Sequence, residues 1–147
     1  MRASAEARQL RTLNRLIDHI GPGMLTCEDD AGQLISRPMT PLKLDADGNL
    51  WFFIRSRADA APRAALASYR VNIAFAQPED ASYVSVTGNA QVVHDAARTE
   101  VLWSPVIRLW FADGMKDPEL ALLRVAIVRA EYWDAKAGAM APLWPAA

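Results

Sequence analysis

The segment Tyr83–His94 constrains the fold most, because apolar and polar side chains alternate along nearly all of it. Val84, Val86 and Val92 fall on one face together with Gly88 and Ala90, while Ser, Thr, Asn and Gln side chains fall on the other. A period of two predicts a β-strand that buries one face. The two small residues on the buried face favour a coiled, barrel-like strand or the close approach of another backbone.

Five further segments predict strands, because apolar residues alternate or run together within them and turn-forming residues bound them. They are Met24–Glu28, Gln33–Leu44, Leu50–Ile54, Val71–Ala76 and Leu120–Trp133. Pro38 and Pro41 interrupt the second of these, so that strand is expected to be irregular or to lie at a sheet edge. Six short strands in series, joined mostly by hairpins, favour a closed or split barrel.

Helices are expected to flank the strands, which makes the fold class mainly β within an α+β arrangement. Apolar residues recur at helical spacing from Leu10 to Ile20, which predicts an amphipathic helix over residues 4–20. Shorter helices are predicted from Pro62 to about Ser68, over Ala96–Trp103 and from Pro105 through Trp110. The chain is expected to form a single domain with two loose ends, residues 1–9 and 136–147. The first of these includes the start of the predicted first helix.

The composition indicates a globular protein and excludes several functional classes. Hydrophobic residues make up 52% of the 147 residues and charged residues 22%, unlike a disordered chain. The net charge of −1 gives no electrostatic basis for a nucleic-acid partner. There is no secretory signal and no apolar run that could span a membrane, so a cytoplasmic protein without a membrane partner is expected.

No motif of a protein-borne catalytic centre is present. Paired carboxylates, the HExxH zinc motif, the nucleophile elbow and the phosphate loop are all missing from the sequence. Cys27 is the only cysteine, and His19 and His94 lack metal-ligand spacing, so neither a disulfide nor a metal is predicted. No catalytic residue can therefore be assigned, and an enzyme with this sequence would depend on a cofactor.

A candidate ligand site is built around Arg37. The turn-forming segment Asp45–Asn49 predicts a hairpin that brings Ser36–Met39 beside Leu50–Ile54. Because side chains alternate along a strand, Trp51 and Phe53 are expected to face away from Phe52. A guanidinium group beside aromatic rings suits a ligand that is flat at one end and anionic at the other, such as flavin mononucleotide (FMN).

Alternatives to this site remain open from the residues alone. The aromatic rings of Trp51, Phe52 and Phe53 could pack in the core, as aromatic strands often do. Arg37 could form a surface ion pair with Asp45, Asp47 or Glu28. Arg57 and Arg63 flank the start of a predicted helix, which could seat a phosphate or could equally be a solvated polar loop.

Several segments in order resemble the general stress protein branch of the pyridoxamine 5′-phosphate oxidase-like FMN-binding split barrels. They cover about residues 10–135 and read MLT, LISRPM, DGNLWFF, VNIAFA, YVSVTGNAQVV, LWxPxxxxWFxxGxxDPxLxLLRV and AEYWD. The resemblance implies a six-stranded split barrel that forms a homodimer, with two FMN sites in clefts between the subunits. FAD is the alternative cofactor.

The resemblance also implies which residues line the cofactor. Two segments would line the flavin ring and the ribityl chain. They are Arg37, Pro38 and Met39 in one strand and Trp51, Phe52, Phe53 and Ile54 in the other. The loop after the third strand, which contains Arg57 and Arg63, would hold the phosphate. Trp103, Trp110 and Phe111 would come from near or across the dimer cleft, although interface packing is the stronger expectation for the two tryptophans.

The sequence departs from the family pattern at the phosphate end. Family members often carry Thr after the Phe pair and Ser and Lys in the following loop, whereas this chain has Ile54 and a loop without lysine. Arg57 or Arg63 could replace the missing cation, since a guanidinium group binds phosphate with two hydrogen bonds. If neither does, the cofactor is lost.

Three functions are therefore expected as alternatives. The first is a flavin-dependent oxidoreductase linked to the general stress response. The second is a module that binds a flavin without turnover, and the third is a dimeric scaffold that has lost tight cofactor binding.

Overall fold

The computed structural model describes residues 2–55 and 67–145, which contain the elements named here. Two α-helices, α1 (Arg2–Ile20) and α2 (Ala96–Leu102), accompany the strands. The strands are β1 (Gly23–Glu28), β2 (Leu34–Met39), β3 (Lys43–Leu44), β4 (Asn49–Arg55), β5 (Tyr69–Gln77), β6 (Ser82–Val93), β7 (Leu120–Asp134) and β8 (Ala139–Trp144). Short 3₁₀ turns occupy Pro78–Asp80, Pro105–Leu109 and Gly114–Lys116.

The strands form one antiparallel sheet that curls without closing. Their order is β2-β1-β5-β6-β7-β4-β3, and β8 pairs with β7. Within the described ranges no pairing joins β2 to β3, the two ends of this order. The sheet is therefore a split barrel, which confirms the predicted fold class.

Three details differ from the sequence prediction. The segment predicted as one strand over Gln33–Leu44 is two strands, because the chain leaves the ladder at Thr40–Leu42, where Pro41 has no N–H to donate. The predicted loose C-terminal tail contains β8, which returns along β7 after a turn at Gly138 with φ of +64°. The first helix begins at Arg2, so residues 2–9 are helical.

The core lies between α1 and the concave face of the sheet. Leu13 and Ile17 belong to the same buried cluster as Phe52, Ile73 and Val86 of the strands. The predicted apolar stripe of α1 is thus confirmed as its packing face. No helix in the described part of the chain is long and apolar enough to cross a membrane.

Gly88 lies where two backbones approach closely, as its place in the sequence pattern predicts. A β-carbon built on Gly88 would lie 2.5 Å from the carbonyl oxygen of Ala126 and 2.8 Å from Cγ1 of Val125. The pairing of β6 with β7 shifts register at the same point, between Thr87 and Gly88. The bulge bends the strand pair that forms the middle of the sheet.

Gly88→Ala is expected to lower the free energy of unfolding by about 1–3 kcal/mol, because the new methyl group must displace backbone atoms of β7. Urea unfolding followed by circular dichroism measures this change. The neighbouring Asn89→Ala, at an exposed position of the same strand, serves as the control and is expected within about 0.5 kcal/mol of the wild type. Equal stability of the two variants would refute the close approach.

Candidate functional site

Strand β4 supplies the floor of the candidate site because its side chains alternate between the core and the outside. Phe52 and Ile54 point into the core and are 0% and 1% exposed. Trp51, Phe53 and Arg55 share the opposite face, as the predicted alternation requires. Because β3 pairs only with the first part of β4, at Leu50 and Trp51, the outward face beyond Trp51 borders a gap in the sheet.

The first part of this outward face is covered by α2. The guanidinium carbon of Arg98 lies 4.3 Å from the ring centroid of Trp51, in a cation–π arrangement. The ring of Trp103, which follows α2, meets Phe53 edge to face with centroids 5.8 Å apart. Trp51 is nearly buried, at 3% exposure, whereas Phe53 is only half-buried.

The end of β4 is held against the 3₁₀ segment that follows Trp103. The guanidinium group of Arg55 donates a hydrogen bond of 2.6 Å to the backbone carbonyl of Trp110. Its carbon also lies 5.7 Å from the ring centroid of Phe111. Arg55 therefore joins the floor of the site to its wall.

A groove of about 480 Å³ opens between β4, the Trp103–Phe111 segment and the end of β2. This volume falls in the range of small-molecule sites. The lining residues are mostly apolar or aromatic, with one guanidinium group and two hydroxyl groups among them. They are Pro38, Met39, Thr40, Leu42, Phe53, Arg55, Ser104, Val106, Ile107, Trp110 and Phe111. Such a lining suits a flat aromatic ligand with a few polar atoms at its edge.

Arg37 lies beside this groove. It is half-buried and pairs in register with Leu25 of β1, so its side chain is on the same face of the sheet as that core residue. The groove-lining residues Pro38 and Met39 follow it directly. Arg37 is therefore two residues before the end of β2 and is not itself among the residues that line the groove.

The structure brings some of the predicted site residues together and separates others. Pro38, Met39, Phe53 and Trp110 line one groove, and Trp103 contacts Phe53. Phe52 and Ile54 are core residues, so only their backbone atoms could reach a ligand on the outer face. Trp51 lies beneath Arg98, and Arg57 and Arg63 lie outside the described residues.

One predicted placement is wrong. Ser36–Met39 and Leu50–Ile54 do not form adjacent strands, because β2 pairs with β1 while β4 pairs with β3 and β7. They meet across the groove only because the sheet curls. Arg124 of β7 lies directly opposite Trp51 in the register of β4 with β7.

Several residues of the groove were not predicted from the sequence, and among them Arg55 is the only charged residue in the described lining. The alternation that places Trp51 and Phe53 on one face extends to Arg55, so the signal was present two residues further along. The other unpredicted lining residues carry no comparable signal, because they lie between strands or in the short 3₁₀ turn after Ser104, whose position against β4 the sequence does not specify. They are Thr40, Leu42, Ser104, Val106 and Ile107.

Asp45 fixes the turn that precedes β4. Its carboxylate accepts hydrogen bonds from the indole N–H of Trp51 at 2.9 Å and from the side-chain amide of Asn49 at 3.2 Å. It also accepts from the backbone N–H groups of Asp47 and Asn49, each at 2.9 Å. Partial burial acts to raise the pKa of Asp45, but these hydrogen bonds together outweigh it and hold the pKa below its usual 3.8.

Comparison with known proteins adds a family and a set of structural relatives. The model of a family described as "Pyridoxamine 5'-phosphate oxidase like" matches residues 8–147. Among curated proteins, Protein bli-3 of Neurospora crassa is 26% identical over 117 residues, which cover 74% of this chain and 56% of that protein. The chain thus spans about half the length of this relative.

Solved structures with the same fold include general stress proteins. The general stress FMN/FAD binding protein from Xanthomonas citri is 25% identical, with a TM-score of 0.70 and 98% of each chain covered. A protein from Clostridium acetobutylicum related to general stress protein 26 of B. subtilis superposes with a TM-score of 0.77, covering 93% of this chain and 96% of that one. At 18% identity, the latter shows the fold alone.

Asp45→Asn is expected to destabilise the protein by about 1 kcal/mol at pH 7, because an amide replaces a half-buried carboxylate that accepts four hydrogen bonds. Since the folded-state pKa is lowered, the ionised carboxylate stabilises the fold above the usual value of 3.8. That stabilisation is lost as the pH falls through the lowered pKa.

Urea unfolding at pH 7 and in a series down to pH 2 measures the difference between Asp45→Asn and the wild type. Asp47→Asn is the matched control, since Asp47 is an exposed residue of the same turn. A stability gap between Asp45→Asn and the wild type that stays constant across the whole series would contradict the assigned role of the carboxylate.

Proposed function

The chain belongs to the pyridoxamine 5′-phosphate oxidase-like family, and we propose that it binds a flavin, FMN, in the groove beside β4. The observation that carries this proposal is the convergence of Met39, Phe53 and Trp110 on one groove of about 480 Å³. These side chains come from three separate parts of the chain and together form a mostly apolar lining. A flavin ring suits such a lining, since it is planar and aromatic with polar atoms along its edge.

Two guanidinium groups would serve the polar parts of the cofactor. Arg55 lies in the groove lining, and Arg37 stands at the groove's edge next to Pro38. A guanidinium group there would donate to carbonyl oxygens of the ring or to the ribityl chain. The bound flavin would supply electron transfer, while the chain's own residues position the ring and shield it from water.

The phosphate would be held by the loop that follows β4. Arg57 and Arg63 of that loop are our proposed phosphate contacts, in place of the lysine that the family pattern carries. The name of the Xanthomonas citri protein, which describes FMN/FAD binding, supports a flavin as ligand and leaves FAD as the alternative.

We further propose that the protein acts as a homodimer whose cofactor site lies between subunits. Leu109 and Trp110, at the rim of the groove, are 79% and 57% exposed, and Val106 is 56% exposed. Exposed apolar side chains in one patch are typical of a surface that a partner covers. A second copy placed there would close the groove over the flavin ring.

The proposed activity is that of a flavin-dependent oxidoreductase linked to the general stress response. Reduction of the bound flavin by a nicotinamide donor would bleach its visible absorbance. One observation favours a second candidate, a flavin-binding module without turnover: the described lining of the groove contains no carboxylate, imidazole or amine that could move a proton. Bound flavin that no reductant in a donor panel bleaches would decide for this module.

Arg37→Ala is expected to weaken FMN binding about ten- to a hundredfold, because it removes charge-assisted hydrogen bonds to the ligand. Quenching of flavin fluorescence in a titration measures the affinity. Arg129→Ala is the matched control, since Arg129 lies on the outer face of β7 paired with Glu131 at 3.3 Å. Equal losses in the two variants would argue against a flavin beside Arg37.

The purified protein is expected to sediment as a dimer, with a mass about twice the 16.2 kDa of one chain. The physical reason is that the apolar rim residues would otherwise remain in water. Analytical ultracentrifugation with and without FMN gives the mass directly. A monomer that still binds FMN tightly would be incompatible with a site shared between subunits.

A further inference from the structure

The wall of the groove depends on a helix that has little packing of its own. α2 has seven residues, and none of them is buried. A helix of this length is marginal in water without tertiary contacts. Individual side-chain contacts to the sheet must therefore determine where α2 lies.

Arg98 in the first turn of α2 provides such a contact and is fixed at two points. Its backbone N–H donates to Oδ1 of Asp95, the residue that caps the helix, at 3.0 Å. Its guanidinium carbon lies 4.3 Å from the ring centroid of Trp51 on β4. The ring is itself held in place, because the indole N–H donates to Asp45 at 2.9 Å. The contact therefore joins α2 to a rigid point of the sheet.

The position of α2 is transmitted directly to the groove. Trp103 directly follows α2 and caps its C-terminal end. The centroid of its ring lies 5.8 Å from the centroid of the Phe53 ring. The next residues along the chain include Ser104, Val106 and Ile107, which line the groove. A shift of α2 along the outer face of β4 would displace this whole wall relative to Phe53.

We propose that Arg98 is a positioning residue that fixes α2 on Trp51 and thereby sets the width of the groove. Arg98 is outside the groove lining and acts through Trp103 and the segment after it. The consequence for ligand binding rests on the proposed flavin function. The consequence for the segment itself does not, so the two can be tested separately.

Hydrogen exchange of the flavin-free full chain, followed by mass spectrometry, tests the structural step. In Arg98→Ala, amide exchange in peptides covering residues 96–111 is expected to speed up about two- to fivefold, the range for losing one exposed cation–π contact. Arg129→Ala is the control and should leave these peptides unchanged. Arg98→Lys should restore most of the protection, because it keeps a cation over the Trp51 ring.

FMN titration of the same variants tests the link to the groove. Arg98→Ala is expected to weaken FMN binding by about the same two- to fivefold, with the midpoint of urea unfolding equal to that of Arg129→Ala. Recovery of FMN affinity in Arg98→Lys would show that the cation over Trp51 positions the wall of the groove. A general loss of structure would not be reversed by lysine.

The outcomes that overturn the inference are distinct from failure of the flavin proposal. Unchanged exchange in Arg98→Ala refutes the anchoring of α2. Faster exchange with unaltered FMN affinity refutes the link to the groove. If the wild type binds no FMN, the proposed function fails, and the exchange measurement still decides whether Arg98 anchors α2.

Discussion

The site exists because the strand beside β4 is too short to cover it. β3 consists of Lys43 and Leu44 and pairs with only two residues of β4. The chain has just left β2 through Thr40–Leu42, where a proline interrupts the ladder. The sheet consequently stays open, and the remaining length of β4 borders a gap in which a ligand can reach both side chains and backbone. A continuous strand over Gln33–Leu44 would have closed this opening.

Side chains of β4 alternate between the core and the outer face that borders the groove. Its inward residues, Phe52 and Ile54, stabilise the core, and its outward residues each contact the segment that follows Asp95. Trp51 contacts Arg98, Phe53 contacts Trp103 and Arg55 contacts Phe111. These three contacts hold one wall of the groove at a fixed distance from its floor. A change in any of them is therefore expected to alter the shape of the groove in which we propose that a flavin binds.

Helices and strands were predictable from the sequence where the spacing of apolar and polar side chains alone determines them. The alternation in β6, the apolar stripe of α1 and the outward position of Trp51 and Phe53 follow from side-chain period alone. The irregularity of the second predicted strand was expected from Pro38 and Pro41, although its division into two strands was not. β8 was missed because the Ala, Gly and Pro content of residues 134–147 is typical of a tail, and only pairing with β7 makes Ala139–Trp144 a strand.

Tertiary placement was much less accessible to sequence reasoning. Nothing local shows that β4 pairs with β7 or that Arg124 comes to lie opposite Trp51. The convergence of Met39, Phe53 and Trp110 likewise depends on how the whole sheet curls. The ordered motifs led to the right family because they reflect this global arrangement, although no single segment specifies it.

The function we propose depends on a flavin ring that binds between Met39 and Phe53, against Trp110. A crystal structure of the full chain grown with FMN tests it most directly. We expect electron density for the ring in this groove, with Arg37 or Arg55 donating to the cofactor. Density for FMN at any other place, or an empty groove at saturating FMN, would contradict the account.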